Sequence, residues 1–130
     1  MSIKRAEIYK FIEQNFNIKP DFPFSSTPQC AIFRDKESKK WFGLLMDLSG
    51  DKLGLKGREK LVLNLKCDPN LVTILKDNVQ ILPAYHMNKK HWISINLSSN
   101  IDESLVFDLI KESFKLVSKG RLESKLKCGN

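Results

Sequence analysis

Apolar positions along the chain fall first at helical spacing. Ile8, Ile12 and Phe16 recur every four residues, with Tyr9 beside them, which predicts an opening helix from about Ser2 to Asn15. Pro20, Pro23 and Pro28, with Ser25, Ser26 and Thr27 among them, forbid regular helix, so a loop follows. The pattern then shortens to strands. Cys30–Phe33 and Trp41–Met46 flank the charged turn Asp35–Lys40, a hairpin. Gly50, Gly54 and Gly57 mark a loop from Leu48 to Arg58. From Leu61 to Lys66 the alternation is strict: Leu61, Leu63 and Leu65 face one way, Val62, Asn64 and Lys66 the other.

Asp68-Pro69 is a helix start, because Asp can cap free N–H groups and Pro suits the first helical position. Leu71, Val72 and Leu75 form that helix's apolar face, and Asp77-Asn78 ends it. A short strand at Ile81-Leu82, a turn over Tyr85–Lys90 and a last strand from His91 to Leu97 come next. Parity sets His91 with Ile93 and Ile95, and so predicts it partly buried; Trp92 shares the opposite face with Ser94 and Asn96. Asn100–Asp102 can cap a final helix whose stripe is Val106, Leu109, Ile110, Phe114 and Val117, with Gly120 as its stop. The order is α-β(3)-α-β(2)-α. It predicts an α+β fold, an antiparallel sheet with helices on one face, in a single domain over residues 1–119. Residues 120–130 read as a polar, basic, frayed tail.

Composition adds a direction. The 130 residues are 42% hydrophobic and 28% charged, which excludes a disordered chain, and the net charge is +7. A basic surplus favours polyanions, nucleic acid before anionic membrane, although charge of this size also serves solubility. Cys30, Cys67 and Cys128 are odd in number and have no C-x-x-C spacing, which argues for reduced thiols rather than a disulfide framework or a zinc site. The N-terminus turns amphipathic at once, and no stretch approaches a membrane-spanning length, so a cytoplasmic protein with no membrane partner is expected.

The densest chemistry lies in Tyr85, His86, Asn88, Lys89, Lys90, His91 and Trp92. Lysines neutralise phosphates, aromatic rings stack, and Asn bonds to a base edge or a phosphate. The structural alternative is that Asn88 caps the turn while Tyr85 and His86 fill the end of the core. Trp92 beside Ser94, Asn96, Asn64 and Lys66 suggests a ligand-facing sheet face or a dimer contact, unless the loop from Phe22 to Thr27 covers it. Lys36, Lys39 and Lys40 would make the hairpin tip a wing toward a phosphate backbone, diluted by Asp35 and Glu37. Lys52, Lys56, Arg58 and Lys60 form a second basic segment, whose glycines do not match a P-loop. Neither histidine has a carboxylate partner nearby in sequence, Cys67 reads as a packing residue, and no pair of acids is set for general acid–base work. A binding module without cofactor or metal is expected, not an enzyme.

Lys66-Cys67-Asp68-Pro69, followed by Pro83-Ala84-Tyr85-His86-Met87-Asn88-Lys89-Lys90-His91-Trp92, resembles the signature of the MmcQ/YjbR family of small bacterial proteins. The hairpin from Phe24 to Met46 and the segment Glu112–Val117 are similar to that family as well, over about residues 1–119. The resemblance implies a fold like that of the secretion chaperones. It also implies DNA binding through a double wing of hairpins, an expectation that rests partly on fold analogy. The expected phosphate contacts are Lys36, Lys39, Lys40, Lys89 and Lys90, with Tyr85, His86, Asn88 and Trp92 supplying stacking or positioning. The alternative is a protein-interaction module, chaperone-like, that uses the sheet face around Trp92 or the helical face, with a protein partner or a second copy of the chain as a homodimer.

Overall fold

The computed structural model describes residues 2–27, 29–55 and 58–129, with side chains as far as residue 118. Its elements are α1 (Arg5–Phe16), β1 (Ala31–Arg34), β2 (Trp41–Ser49), a 3-10 turn (Gly50–Leu53), β3 (Glu59–Lys66), α2 (Pro69–Leu75), β4 (Ile81–Pro83), β5 (Trp92–Asn96) and α3 (Glu103–Gly129). The strands form one antiparallel sheet in the order β1-β2-β3-β5-β4. Local signals act as their chemistry requires. The Asp68 carboxylate accepts the Asn70 N–H and Pro69 opens α2, while Asn17 leaves α1 in the left-handed conformation with its N–H on Glu13 O.

One face of the sheet carries the main core. Phe33, Leu45, Leu63, Leu65, Ile93 and Ile95 meet Ile8 and Ile12 of α1 and Val106, Leu109, Ile110 and Val117 of α3. Stacked phenylalanines join the two helices, Phe11 on Phe107 at 4.1 Å. Phe16 lies on Phe114 at 4.2 Å, with the Phe42 ring edge-on to both.

Phe42 reaches that core through a bulge. Phe33 pairs with Gly43 but Arg34 pairs with Trp41, so Phe42 is the extra residue in β2. The shift turns its ring to the helix side, where it is fully buried. Burying a Phe is worth about 2–3 kcal/mol, which outweighs a disturbed ladder bond at about 1 kcal/mol. Ser113 of α3 repairs the disturbance: its hydroxyl donates to Phe42 O at 2.5 Å and accepts the Lys66 N–H at 2.9 Å.

Each sheet edge has a position capped within the chain. On β1, Ile32 and Asp21 exchange backbone hydrogen bonds of 2.8 and 2.9 Å. On β4, the Ile81 N–H goes to Asp77 Oδ1, the Ile81 carbonyl accepts from Asp77 N and Asn78 N, and Pro83 has no N–H. These positions are spent, which removes them from pairing with another strand.

α3 differs from expectation. It runs through Gly120 to Gly129 rather than stopping at Gly120. One interior glycine costs about 1 kcal/mol relative to alanine, and the surrounding Arg121, Leu122, Glu123, Lys125 and Lys127 are residues that favour helix. Among the described residues no helix is long and apolar enough to cross a membrane.

Candidate functional site

The antiparallel register decides which loops share an end of the sheet. Arg34 pairs with Trp41, and the Lys66–Trp92 pair is followed by a Cys67 N–H to His91 O bond of 2.8 Å. The β1–β2 hairpin tip and the Asn88–His91 turn therefore leave the same end. Only β3 separates β2 from β5, so the near strands of the two projections lie two interstrand spacings, about 10 Å, apart in the sheet, and the centres of the two turns three spacings, about 14 Å. Lys36, Lys39 and Lys40 on the tip and Lys89 and Lys90 on the turn are all exposed, and half-buried Lys66 lies between them. The acids on these segments are Asp35, which is 1% exposed and accepts the Ser38 N–H, Glu37, and Asp68 at the α2 cap.

The Tyr85–Trp92 segment is built by a buried polar triangle. The Ser94 hydroxyl donates to Asn64 Oδ1 at 2.5 Å and accepts the Tyr85 N–H at 2.9 Å, while Asn64 Nδ2 donates to Tyr85 O at 3.0 Å. Asn64 and Ser94 are directly paired on β3 and β5 and fully buried. They pin the segment across the sheet face that the helices leave open. Asn88 does cap the turn, its Oδ1 accepting the Lys90 N–H at 2.8 Å and its carbonyl the His91 N–H at 3.2 Å. His86 takes a left-handed conformation (φ 57°) and sits edge-on to the Tyr85 ring at 4.1 Å.

Two expectations fail here. Trp92 is 9% exposed, and its neighbours Ser94, Asn96 and Asn64 are buried, so it offers neither a stacking platform nor a docking face. Alternation correctly put it on the face away from the helices, but the chain's own Tyr85 segment folds back over that face. His91 is exposed rather than half-buried, because β5 begins only at Trp92 and the Asn88 turn holds His91 outside the sheet. His86 is also exposed, while Tyr85 is half-buried. Of the second basic segment, Lys56 lies outside the described residues.

Tyr85 and His86 form one wall of a groove of about 500 Å³, with Thr27, Gln29 and Cys30 opposite and Met46 and Leu48 on β2. Arg5 holds the opposite wall, donating to Gln29 O at 2.8 Å, to Asp47 Oδ2 at 2.7 Å and to the Tyr9 hydroxyl at 2.9 Å. A second cleft, of about 440 Å³, lies behind the hairpin tip. Sequence reading missed the polar triangle, although Asn64 and Ser94 interrupting apolar strands were its visible trace. It also missed the second cleft, whose parts are far apart in the chain.

Cys30 and Cys67 are free, buried thiols. Burial pushes both thiol pKa values up, Cys67 to about 11 with help from the Asp68 and Glu112 charges. Neither is poised as a nucleophile. Among the described residues no three His, Cys, Asp or Glu side chains converge to hold a metal.

This is a small α+β sheet protein with a lysine-bearing end and a pinned β4–β5 turn. The YjbR family model matches residues 16–116, and the chain belongs to the MmcQ/YjbR family. It is 40% identical over 115 residues to the uncharacterised protein YyaQ of Bacillus subtilis, covering 88% of this chain and 98% of that one. It is 47% identical over 60 residues to the uncharacterised protein YbdF of Escherichia coli O157:H7, covering 45% of this chain and 48% of that one. A crystal structure of a Pseudomonas syringae protein superposes with a TM-score of 0.85 at 36% identity, covering 88% and 99% of the two chains. A Deinococcus radiodurans protein with a DUF419 domain shares the fold, with a TM-score of 0.69 at 24% identity over 88% and 78% of the chains.

Proposed function

We propose that this protein binds nucleic acid, double-stranded DNA first, through phosphate contacts and without strong base preference. The observation that carries the reading is the common sheet end from which the hairpin tip and the Asn88–His91 turn project, five exposed lysines between them. The near strands that carry them lie about 10 Å apart and the turn centres about 14 Å, a span comparable with a major-groove width of about 12 Å, so phosphates flanking one groove would lie within reach of both. Lys36, Lys39, Lys40, Lys89 and Lys90 make the contacts. Asn88 and the Asn64–Ser94 pair hold the turn, Tyr85 supports His86, and exposed His86 contributes a ring.

Fluorescence anisotropy with labelled duplex, at low and near-physiological salt, tests this. The double charge reversal Lys89→Glu/Lys90→Glu is expected to weaken binding at least tenfold across unrelated sequences. It should also flatten the log–log salt slope by about two. A double variant that binds as the parent does overturns the assignment.

A further inference from the structure

We propose that the cleft behind the hairpin tip is a built site for a phosphoryl group. The inference deepens the nucleic-acid reading and rests on it for the source of the phosphate. The cleft of about 440 Å³ falls within the range of ligand sites, about 300–1,000 Å³. Its floor is apolar, made by buried Ile18 and Ile32. Its cations come from separate stretches of chain: Lys19 from the segment after α1, Arg34 from the end of β1, Lys36 and Lys39 from the tip. Asp21 is ion-paired with Arg34, and the buried Asp35 carboxylate already accepts the Ser38 N–H. Arg34 has five N–H donors and one such partner does not exhaust them. The balance left facing the cleft is positive and suits a di- or trianion.

A second observation converges on the same place. Among the described residues four non-glycines have left-handed backbones: Asn17, Lys39, Asn78 and His86. Asn and His are enriched in that region; Lys is not. Lys39 (φ 63°) sits in a tip closed by Asp35 N to Lys40 O at 3.0 Å and Lys39 N to Asp35 O at 2.9 Å, a position that glycine would occupy without strain. The fold thus tolerates a strained residue where the side chain delivers a cation to the cleft, the kind of outlier that marks functional sites.

The experiment is an NMR titration of the full chain with inorganic pyrophosphate at low ionic strength. Saturable shifts are expected at the amides of Lys19, Arg34, Lys36 and Lys39. Lys39→Gly should raise the folding equilibrium constant about three- to fivefold, from relieved strain. It should also weaken pyrophosphate binding about fivefold. Lys19→Ser, at an exposed position, should weaken binding similarly with stability unchanged, and Lys10→Ser on α1 should change neither. Unaltered affinity in Lys39→Gly or Lys19→Ser, or non-saturating shifts spread over all lysines, overturns the site. Displacement of pyrophosphate by duplex DNA identifies the phosphate as a nucleic acid's. Saturable pyrophosphate binding that DNA does not displace keeps the site, assigns it to a free phosphorylated molecule, and counts against the nucleic-acid reading alone.

Discussion

Replacing Asn64 with alanine tests how the lysine-bearing turn is held. The side chain makes two hydrogen bonds in a fully buried place, accepting from the Ser94 hydroxyl and donating to Tyr85 O. Two such bonds contribute about 2 kcal/mol net. Stranding the Ser94 hydroxyl or the Tyr85 carbonyl adds about 1 kcal/mol or more. Asn64→Ala is therefore expected to cost about 3 kcal/mol, and Ser94→Ala, which strands the Tyr85 N–H and Asn64 Oδ1, about the same. Because the two residues share one network, the double variant should cost less than the sum, by about 1–2 kcal/mol. Urea unfolding followed by tryptophan fluorescence measures this through Trp41 and Trp92. With m near 1.5 kcal/mol/M, each single variant should lower the midpoint by about 2 M at unchanged m. Hydrogen exchange at the Tyr85 amide should accelerate in both. Single costs below about 1 kcal/mol, or strict additivity, would refute the triangle as the fastening of the turn.

Other outcomes follow from the same structure. A Cβ on Gly43 would lie 3.2 Å from Phe33 Cδ2, inside a packed aromatic cluster, so Gly43→Ala should destabilise by about 1–2 kcal/mol in the same assay. For Asp77, backbone N–H groups of Ile81, Val79 and Gln80 outweigh burial and hold the carboxyl below its ordinary 3.8. Its contribution is present above pH about 4 and is lost as pH falls through the lower folded value; an NMR titration giving Asp77 at or above 3.8 would contradict this. With its thiol near 11, Cys67 should resist alkylation at pH 8 in the native state and react once the chain is unfolded in urea, as read by site-resolved mass spectrometry.

The sheet end that carries both the hairpin tip and the turn, the capped edge positions and the pinned face are facts of one architecture. Ser113 bridges Phe42 and Lys66 where the tip leaves the sheet, and Asn64 with Ser94 fastens the turn over its neighbouring strands. The lysines are thus carried on segments whose backbones are held by buried bonds, so phosphate contacts would require little ordering on binding.

Local chemistry was enough to determine the element order, the α2 start at Asp68-Pro69, the alternating faces of β3 and the turn at Asn88. Each depends on neighbours within a few residues. The same local chemistry marks Tyr85–Lys90 as a turn ahead of the last strand. What each side chain meets was decided only in three dimensions. Alternation assigned Trp92 to the sheet face away from the helices but could not tell that a segment seven residues upstream folds back over it. A polar residue on a strand looks the same whether water or a partner strand satisfies it, so Asn64 and Ser94 read as surface until the register of β3 and β5 joined them. The bulge at Phe42 turned a residue that strict alternation would have sent to the other face, because burying its ring outweighs one ladder bond. Lys19 joins Arg34 and Lys39 at one cleft because Asp21, two residues on, pairs with Ile32, a contact between residues that no local pattern connects.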